Sequence, residues 1–277
     1  MSLRDILVHI DDTPHCEKRF QLALKLARRQ KADLFALFTQ ADTNPMGIST
    51  QVDNKKKQYK RVAEAARKRY MALADKAYIN LDWKTAKYPG SDDMVTEQLL
   101  HYTQHMDMAV VGQYDADTAT GSIPPDLAER LVLESGRPIL IIPYAGEFKT
   151  VGRRIMIAWN TGRESVRAVN DALPLMIDAK KVHVLAIDPY KKGKRHGAIP
   201  STDIADHLHR HGVKAKADYL NTKTLDPGNT LLSLAADESM DLLVMGAYSH
   251  HPLREWILGG VTRDILRHMT IPVLMSH

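Results

Sequence analysis

Short apolar runs alternate with amphipathic stretches along the whole chain. The runs predict strands near residues 4–10, 33–39, 81–87, 107–112 and 138–143, and again near 154–159, 181–187, 214–219, 241–246 and 271–275. Between them, apolar residues recur at helical spacing; in Glu17–Gln30 they are Phe20, Leu22, Ala23, Leu26 and Ala27. Ser91, which two aspartates follow, is typical of a helix start. Alternating strands and helices predict an α/β fold with parallel strands and right-handed crossovers.

The second half of the chain repeats the first. The segment RDILVHID at residues 4–11 resembles RRIMIAWN at 153–160, and DMAVVGQY at 107–114 resembles DLLVMGAY at 241–248. The order of the segments is the same in both halves. We therefore predict two tandem domains, residues 1–147 and 148–277, each with a five-stranded parallel sheet flanked by helices. The first copy is the longer, and most of its additional residues fall in the span that holds the basic stretch Lys55–Arg69.

In such sheets a ligand binds beyond the carboxyl ends of the strands, where the strand order reverses. In the second copy the first strand ends at Asn160, and the fourth leads into the stretch GAYSHHPLREWILGGVT, residues 246–262. Gly246 would let the chain turn close to a ligand, and Gly259 and Gly260 would present N–H groups where the next helix begins. Ser249 and Thr262 add hydroxyl groups. Spacing alone leaves two interpretations open, a phosphate-binding loop and a simple connection between strand and helix.

Composition and charge exclude several classes of function. The net charge of +5 admits an anionic partner, but the chain has no zinc-finger spacing and no aromatic-rich RNA-binding signature, so we expect no nucleic acid. The basic stretch Lys55–Arg69 is typical of a solvated helix face. His207 and His211 share a helix face without an accompanying glutamate base, so we expect no metal.

The sequence also predicts the compartment. No apolar run approaches the roughly 20 residues that span a bilayer, and the N-terminus carries charges where a signal peptide has its apolar core. The single cysteine, Cys16, cannot form a disulfide framework. We therefore expect a cytoplasmic protein with no membrane partner. The sequence contains neither a Gly-x-Ser-x-Gly elbow nor a Walker loop, so nothing in it indicates a hydrolase or a motor protein.

The duplication and the stretch 246–262 resemble the universal stress protein family in its tandem two-domain form. Nucleotide-binding members carry Gly-x-x-Gly, nine residues, then Gly followed by Ser, Thr or Asn. Gly246 and Gly259 match the first and third glycines, and nine residues separate Ser249 from Gly259. Ser249 stands in place of the second glycine, and Gly260 in place of the small polar residue. The family also has an Asp at the end of strand 1, which is Asp11 in the first copy and Asn160 in the second.

The resemblance implies two Rossmann-like domains of the adenine nucleotide α-hydrolase-like type, paired about a pseudo-twofold axis, with a homodimer as a further option. It implies a stress-response or regulatory protein that binds ATP in the second domain and hydrolyses it slowly or not at all. The residues that it assigns to the nucleotide are Asn160, Gly246, Ser249, Gly259, Gly260, Val261 and Thr262.

The same resemblance makes the first copy a degenerate nucleotide domain. Asp115 and Asp117 follow its fourth strand and would repel phosphate, and prolines stand where the second copy has Gly259. One alternative is a protein-interaction module of the same fold that binds no nucleotide and acts on an unknown protein partner. A second alternative is an enzyme of the related nucleotide α-hydrolase group, for which the sequence offers no catalytic side chains.

Overall fold

The computed structural model describes residues 2–41, 49–89, 91–117, 123–187, 201–221, 226–247 and 260–277. The chain divides into two compact units, Ser2–Ile139 and Leu140–His277. Strands and helices alternate in both, which confirms the α/β class. None of the helices within these ranges combines the length and the apolar character needed to cross a membrane.

The strands of the first half form a parallel sheet around a central strand. The helices are α1 (Cys16–Gln30), α2 (Ser49–Ala77), α3 (Asp92–Thr103) and α4 (Leu127–Glu134). The strands are β1 (Asp5–Ile10), β2 (Asp33–Phe38), β3 (Leu81–Thr85), β4 (Met108–Gly112) and β5 (Ile139–Ile142). β1 pairs in parallel with β2 and β4, and β2 pairs in parallel with β3. The amide of Ala109 in β4 donates to the carbonyl of Pro138, just before β5.

The second unit repeats this arrangement. Its helices are α5 (Arg163–Met176), α6 (Thr202–Arg210), α7 (Pro227–Asp237) and α8 (Gly260–His268). Its strands are β6 (Arg154–Trp159), β7 (Lys181–Ile187), β8 (Ala215–Leu220), β9 (Leu242–Gly246) and β10 (Val273–Ser276). They lie in the order β8-β7-β6-β9-β10, and all four pairings are parallel. The strand order therefore reverses between β6 and β9, as it does between β1 and β4.

Burial explains why apolar runs locate these strands. Every residue of β4 is buried, as are all residues of β1 after Asp5, which means that both faces of the sheet are covered. The five apolar positions predicted to face the core in α1 are all buried, and this confirms its amphipathic pattern. Helix starts follow the expected chemistry. The Ser91 hydroxyl accepts from the amide of Met94 at 3.4 Å, and the Asp226 carboxylate accepts from the amide of Asn229 at 3.0 Å.

The units differ most in the helix that follows their second strand. α2 has 29 residues and contains the basic stretch Lys55–Arg69, whereas α6 has 9. The additional residues of the first copy therefore extend this helix.

Candidate functional site

The carboxyl ends of β6 and β9 lie side by side in the second unit. Ala158 near the end of β6 is registered with Met245 near the end of β9. Asn160 follows β6 directly, and Gly246 ends β9, so the structure brings these two predicted residues to the same edge of the sheet. This edge is where the strand order reverses, the general position of ligand sites in open α/β sheets.

A tight turn joins β6 to α5 at this edge. The side-chain oxygen Oδ1 of Asn160 accepts from the amide of Gly162 at 2.9 Å. Thr161 has φ 61°, a left-handed conformation that β-branched residues rarely adopt. Asn160 and Thr161 are exposed, while Glu164 and Ser165 in the first turn of α5 are buried. The turn thus presents a neutral amide side chain to solvent at the strand end and holds it in place through a backbone hydrogen bond.

Gly246 is required for the packing of α5. A Cβ atom at this position would overlap with the backbone where Glu164 joins Ser165, in the first turn of α5. Ser165 in turn donates to the carbonyl of Gly162 at 2.8 Å, which closes that turn. A neighbouring helix therefore accounts for the glycine, and Gly246 does not by itself indicate a ligand.

The start of α8 is open by comparison. Gly260, its first residue, is exposed, and among the described residues no heavy atom other than those of its chain neighbours and of its own helix backbone lies within 4 Å of where its Cβ would be. Val261 is half-buried, and Thr262 is buried, with 4% of its surface exposed. Ser249 and Gly259, the other two residues predicted to bind phosphate, lie outside the described residues. The described part of the stretch therefore offers backbone N–H groups at an accessible helix start.

The charges near the strand ends are balanced locally. The carboxylate of Glu164, with 6% of the residue exposed, accepts from Nε of Arg163 at 2.7 Å. It lies in the first turn of α5, where the helix dipole stabilises a negative charge. Over the ranges that the structure describes, no group of three or more His, Cys, Asp and Glu side chains is arranged to hold a metal ion.

The equivalent edge of the first unit is filled by a buried ion pair. The guanidinium of Arg19 donates to Oδ2 of Asp11 at 2.5 Å, and its Nε donates to the carbonyl of His9 at 2.9 Å. Arg19 is 1% exposed and Asp11 4%. A Cβ atom at Gly112, the last residue of β4, would overlap with the Arg19 guanidinium. The side chain of Arg19 therefore occupies the space between the ends of β1 and β4.

This burial shifts three pKa values. Burial lowers the pKa of His9 to about 4, although the adjacent Asp11 opposes the change. Burial raises the pKa of the Asp11 carboxyl, but Arg19, His9 and the hydrogen bonds from Thr13 outweigh it, and the pKa lies below its usual value. Burial raises the pKa of the Cys16 thiol to about 11, and Asp11 acts in the same direction. The thiol is therefore protonated and unreactive at neutral pH.

Sequence reasoning identified Asp11 as the aspartate at the end of the first strand but missed its partner. Asp11 does accept from the amide and hydroxyl of Thr13, at 2.9 Å and 2.5 Å, but its second oxygen is bound to Arg19. The signal was present in the sequence. Arg19 stands three residues after Cys16 and one before Phe20, on the apolar stripe of α1, where a charged residue needs a buried partner.

Comparisons with known proteins agree with this architecture. A universal stress protein of Synechocystis is 26% identical to this chain over 150 residues, which cover 53% of this chain and 49% of that protein. The chain thus spans about half the length of that curated relative.

Two solved structures share the fold. A universal stress protein from Archaeoglobus fulgidus has a TM-score of 0.76 at 14% identity, over 98% of this chain and 95% of that one. A functionally unknown protein from Pseudomonas aeruginosa has a TM-score of 0.56 at 15% identity, over 99% of this chain and 92% of that one. At these identities the likeness shows the fold alone.

The family model described as the universal stress protein family matches twice, at residues 2–143 and 153–277. The two matches cover the two halves that the sequence repeat and the repeated strand order had already indicated. Because they account for nearly the whole chain, the chain belongs to the universal stress protein family, in tandem two-domain form.

Proposed function

We propose that the chain is a stress-response regulator whose second unit binds an adenine nucleotide, with ATP as the first candidate. The observation that carries the proposal is Gly260, which is exposed at the start of α8 and has no heavy atom of the described residues beyond its own helix within 4 Å of where its Cβ would be. Asn160 is exposed at the end of β6. A glycine in open space at a helix start lets phosphate oxygens approach the backbone N–H groups. Ser249, Gly259, Val261 and Thr262 belong to the same proposed phosphate loop.

The nucleotide acts as a ligand that signals rather than as a fuel. Among the described residues, Glu164 is a buried carboxylate in the first turn of α5, and it accepts a hydrogen bond from Arg163, which gives it a structural role. Asn160 supplies neutral hydrogen bonding where relatives with an Asp would place a charge. Hydrolysis is therefore expected to be slow, and the chain is expected to report nucleotide occupancy, in the cytoplasm, to a protein partner.

The first unit takes no nucleotide in this proposal. Its buried Arg19–Asp11 pair lies where the strand ends would otherwise receive the ligand, against Gly112. Asp115 adds a carboxylate 3.3 Å from His15 at the start of α1. Binding there would require the protein to break a buried ion pair, which is costly.

Calorimetric titration of ATP into nucleotide-free protein tests the proposal, with two substitutions at one position. Gly260→Asp places a negative charge at the start of α8, and Gly260→Ser restores the small polar residue of the family motif. Among the described residues beyond its own helix, none lies within 4 Å of a Cβ at position 260, and a negative charge at a helix start interacts favourably with the helix dipole. We expect one ATP site per chain in the wild type. The Gly260→Asp variant should bind ATP at least about tenfold more weakly, and the Gly260→Ser variant should bind it with the affinity of the wild type.

The rival function is a protein-interaction module that binds no nucleotide. The packing of Gly246 against α5 favours it, because that glycine then needs no ligand to explain it. A wild type that shows no heat of binding at millimolar ATP, with the fold intact, would refute the proposed ATP site, and recovery of a protein partner by the nucleotide-free chain would then support the rival.

A further inference from the structure

The imidazole of His183 lies between two carboxylates that come from different elements. His183 is 4% exposed and lies near the start of β7. Its Nδ1 lies 2.9 Å from the carboxylate of Glu238, the residue that follows α7, and its Nε2 lies 3.1 Å from Oδ2 of Asp218 in β8. A neutral imidazole has one N–H and one acceptor nitrogen, so it can donate to only one of these carboxylates. Only the imidazolium, with an N–H on both nitrogens, donates to both.

Both carboxylates are charged at neutral pH. The hydrogen bond from Lys216 is the main reason that the pKa of Asp218 lies below its usual value, and His183 acts in the same direction. Burial raises the pKa of Glu238, but the hydrogen bonds from Lys181 and His183 outweigh it, and the pKa is lowered. The lone pair of a neutral ring would therefore face a negatively charged oxygen at one of the two contacts.

The remaining charged groups around the ring are basic. Three cations hydrogen-bond to the same two acidic residues, and they are Lys181 of β7, Lys216 of β8 and Arg154 of β6. Each lysine ammonium lies 2.6 Å from one of the carboxylates, and the Arg154 guanidinium donates to the backbone carbonyl of Glu238 at 2.5 Å. Met156 of β6, in register with His183, adds no charge. The cations thus oppose a positive charge on the ring, and the two carboxylates that contact it favour one.

β8 is the element that depends most on these contacts. It lies at the end of the strand order, beside β7. Of its six residues Ala215 alone is buried, and Tyr219 is 41% exposed. A strand at a sheet edge with little buried apolar surface opens more readily than the centre of the sheet. The two contacts of His183 join this strand to the residue that follows α7.

We propose that His183 is a pH-dependent tie between β8 and the end of α7. When both ring nitrogens carry protons, the ring holds Asp218 and Glu238 at once. When the ring loses one proton it releases one of the two carboxylates, and β8 opens more readily. Histidine side chains ordinarily change charge between about pH 5 and 8, so the tie loosens as the pH rises. His183 lies near the start of β7, whereas the proposed nucleotide residues follow the strand ends, so the two functions can be tested separately.

Hydrogen exchange of the β8 amides in the full chain tests the tie, at about pH 6 and about pH 8.5, with the intrinsic exchange rates divided out. The corrected rates of the wild type should rise at least about tenfold, because a charge-assisted hydrogen bond is lost. His183→Gln has no ring to titrate, so its corrected rates should agree within about twofold at the two pH values.

His209→Gln is the matched control. The ring of His209 lies on the same strand, with Nε2 2.9 Å from the carbonyl of Ala215, but its side chain is 52% exposed. This variant should keep the pH dependence of the wild type, because the contacts of His183 are unchanged.

Nitrogen NMR of the wild-type histidine rings gives a readout that needs no stable variant. Both ring nitrogens of His183 should carry protons at about pH 6, and one proton should be lost over the pH interval in which β8 loosens. The inference is overturned if the ring of His183 carries a single N–H at about pH 6 or if the corrected rates of wild-type β8 do not rise. It is also overturned if His183→Gln shows the same rise as the wild type, or if His209→Gln abolishes it.

Discussion

Replacement of Arg19 by Met is the sharpest perturbation of the first unit. Arg19 is 1% exposed, its guanidinium bonds Oδ2 of Asp11 at 2.5 Å, and its Nε bonds the carbonyl of His9. Met is similar in length and apolar, so it fills much of the same space. The substitution therefore leaves the packing largely intact and removes the charge that compensates the carboxylate of Asp11.

The cost of Arg19→Met in the free energy of unfolding follows from the state in which it leaves Asp11. Asp11 keeps its two hydrogen bonds from Thr13 but loses its counter-charge while staying buried. Removal of one partner from a buried pair costs about 3–5 kcal/mol in the free energy of unfolding. Arg69 offers a matched control, because it pairs with Glu17 while its side chain is 59% exposed. Arg69→Met should cost about 0–1 kcal/mol.

Hydrogen exchange followed by mass spectrometry measures this loss of unfolding free energy within the first unit. The most protected amides of β1 and β4 should exchange roughly two to four orders of magnitude faster in Arg19→Met than in the wild type. The double variant Asp11→Asn/Arg19→Met should recover part of the loss, because no buried charge is left alone. If Arg19→Met costs no more than Arg69→Met, or if the double variant is the worst of the three, the buried-pair reasoning is wrong.

Three further predictions concern single positions. Gly246→Ala should lower the free energy of unfolding by roughly 1–3 kcal/mol, because its Cβ overlaps with the start of α5. Gly260→Ala should change the free energy of unfolding by less than about 0.5 kcal/mol. Equal urea midpoints for the two variants would contradict this prediction. Since the pKa of His9 is lowered from 6.5 to about 4, the unfolded chain takes up a proton that the folded chain excludes. The contribution of His9 to the free energy of unfolding is therefore fully present above about pH 6.5, and it falls by up to about 3 kcal/mol as the pH drops toward 4. Urea titrations of His9→Gln should not show this loss over the same pH range. With a thiol pKa raised from 9.0 to about 11, Cys16 should react with iodoacetamide at pH 8 roughly 100-fold more slowly than an unstructured cysteine peptide, and a rate equal to that of the peptide would show that the thiol is not buried.

Most of the fold follows from the sequence because buried parallel strands are nearly continuous apolar runs. The run at 154–159 coincides with β6, and the run at 181–187 coincides with β7. The deviations have a local cause. β5 begins after Pro138 and ends before Pro143, and β10 begins after Pro272, because proline has no N–H to donate to the sheet. The predicted boundary between residues 147 and 148 stays a prediction.

The sites were less predictable because they depend on which side chains tertiary packing brings together. Lysines at helical spacing usually lie on a solvated helix face. Lys56 and Lys60 line a cleft because α2 lies against the segment that follows β3, a contact that the sequence pattern does not indicate. Gly246 fits a ligand motif in sequence, yet its nearest neighbours are backbone atoms of α5. Ser249 and Gly259 lie outside the described residues, so their role in phosphate binding stays a prediction.

The two copies differ at two charged positions near their strand ends, and both positions differ together. The alignment that sets Asp11 opposite Asn160 also sets Arg19 opposite Ala168, and Ala168 is fully buried, as Arg19 is. The flanking positions agree in burial, since Cys16 and Phe20 are buried and so are their counterparts Ser165 and Val169, which supports this register. One copy thus carries both members of an ion pair, and the other carries neither. A buried charge without a partner is costly, so the two positions are expected to change together. The second copy has the small, buried side chain of Ala168 at the position of Arg19, and it is the copy in which we place the nucleotide.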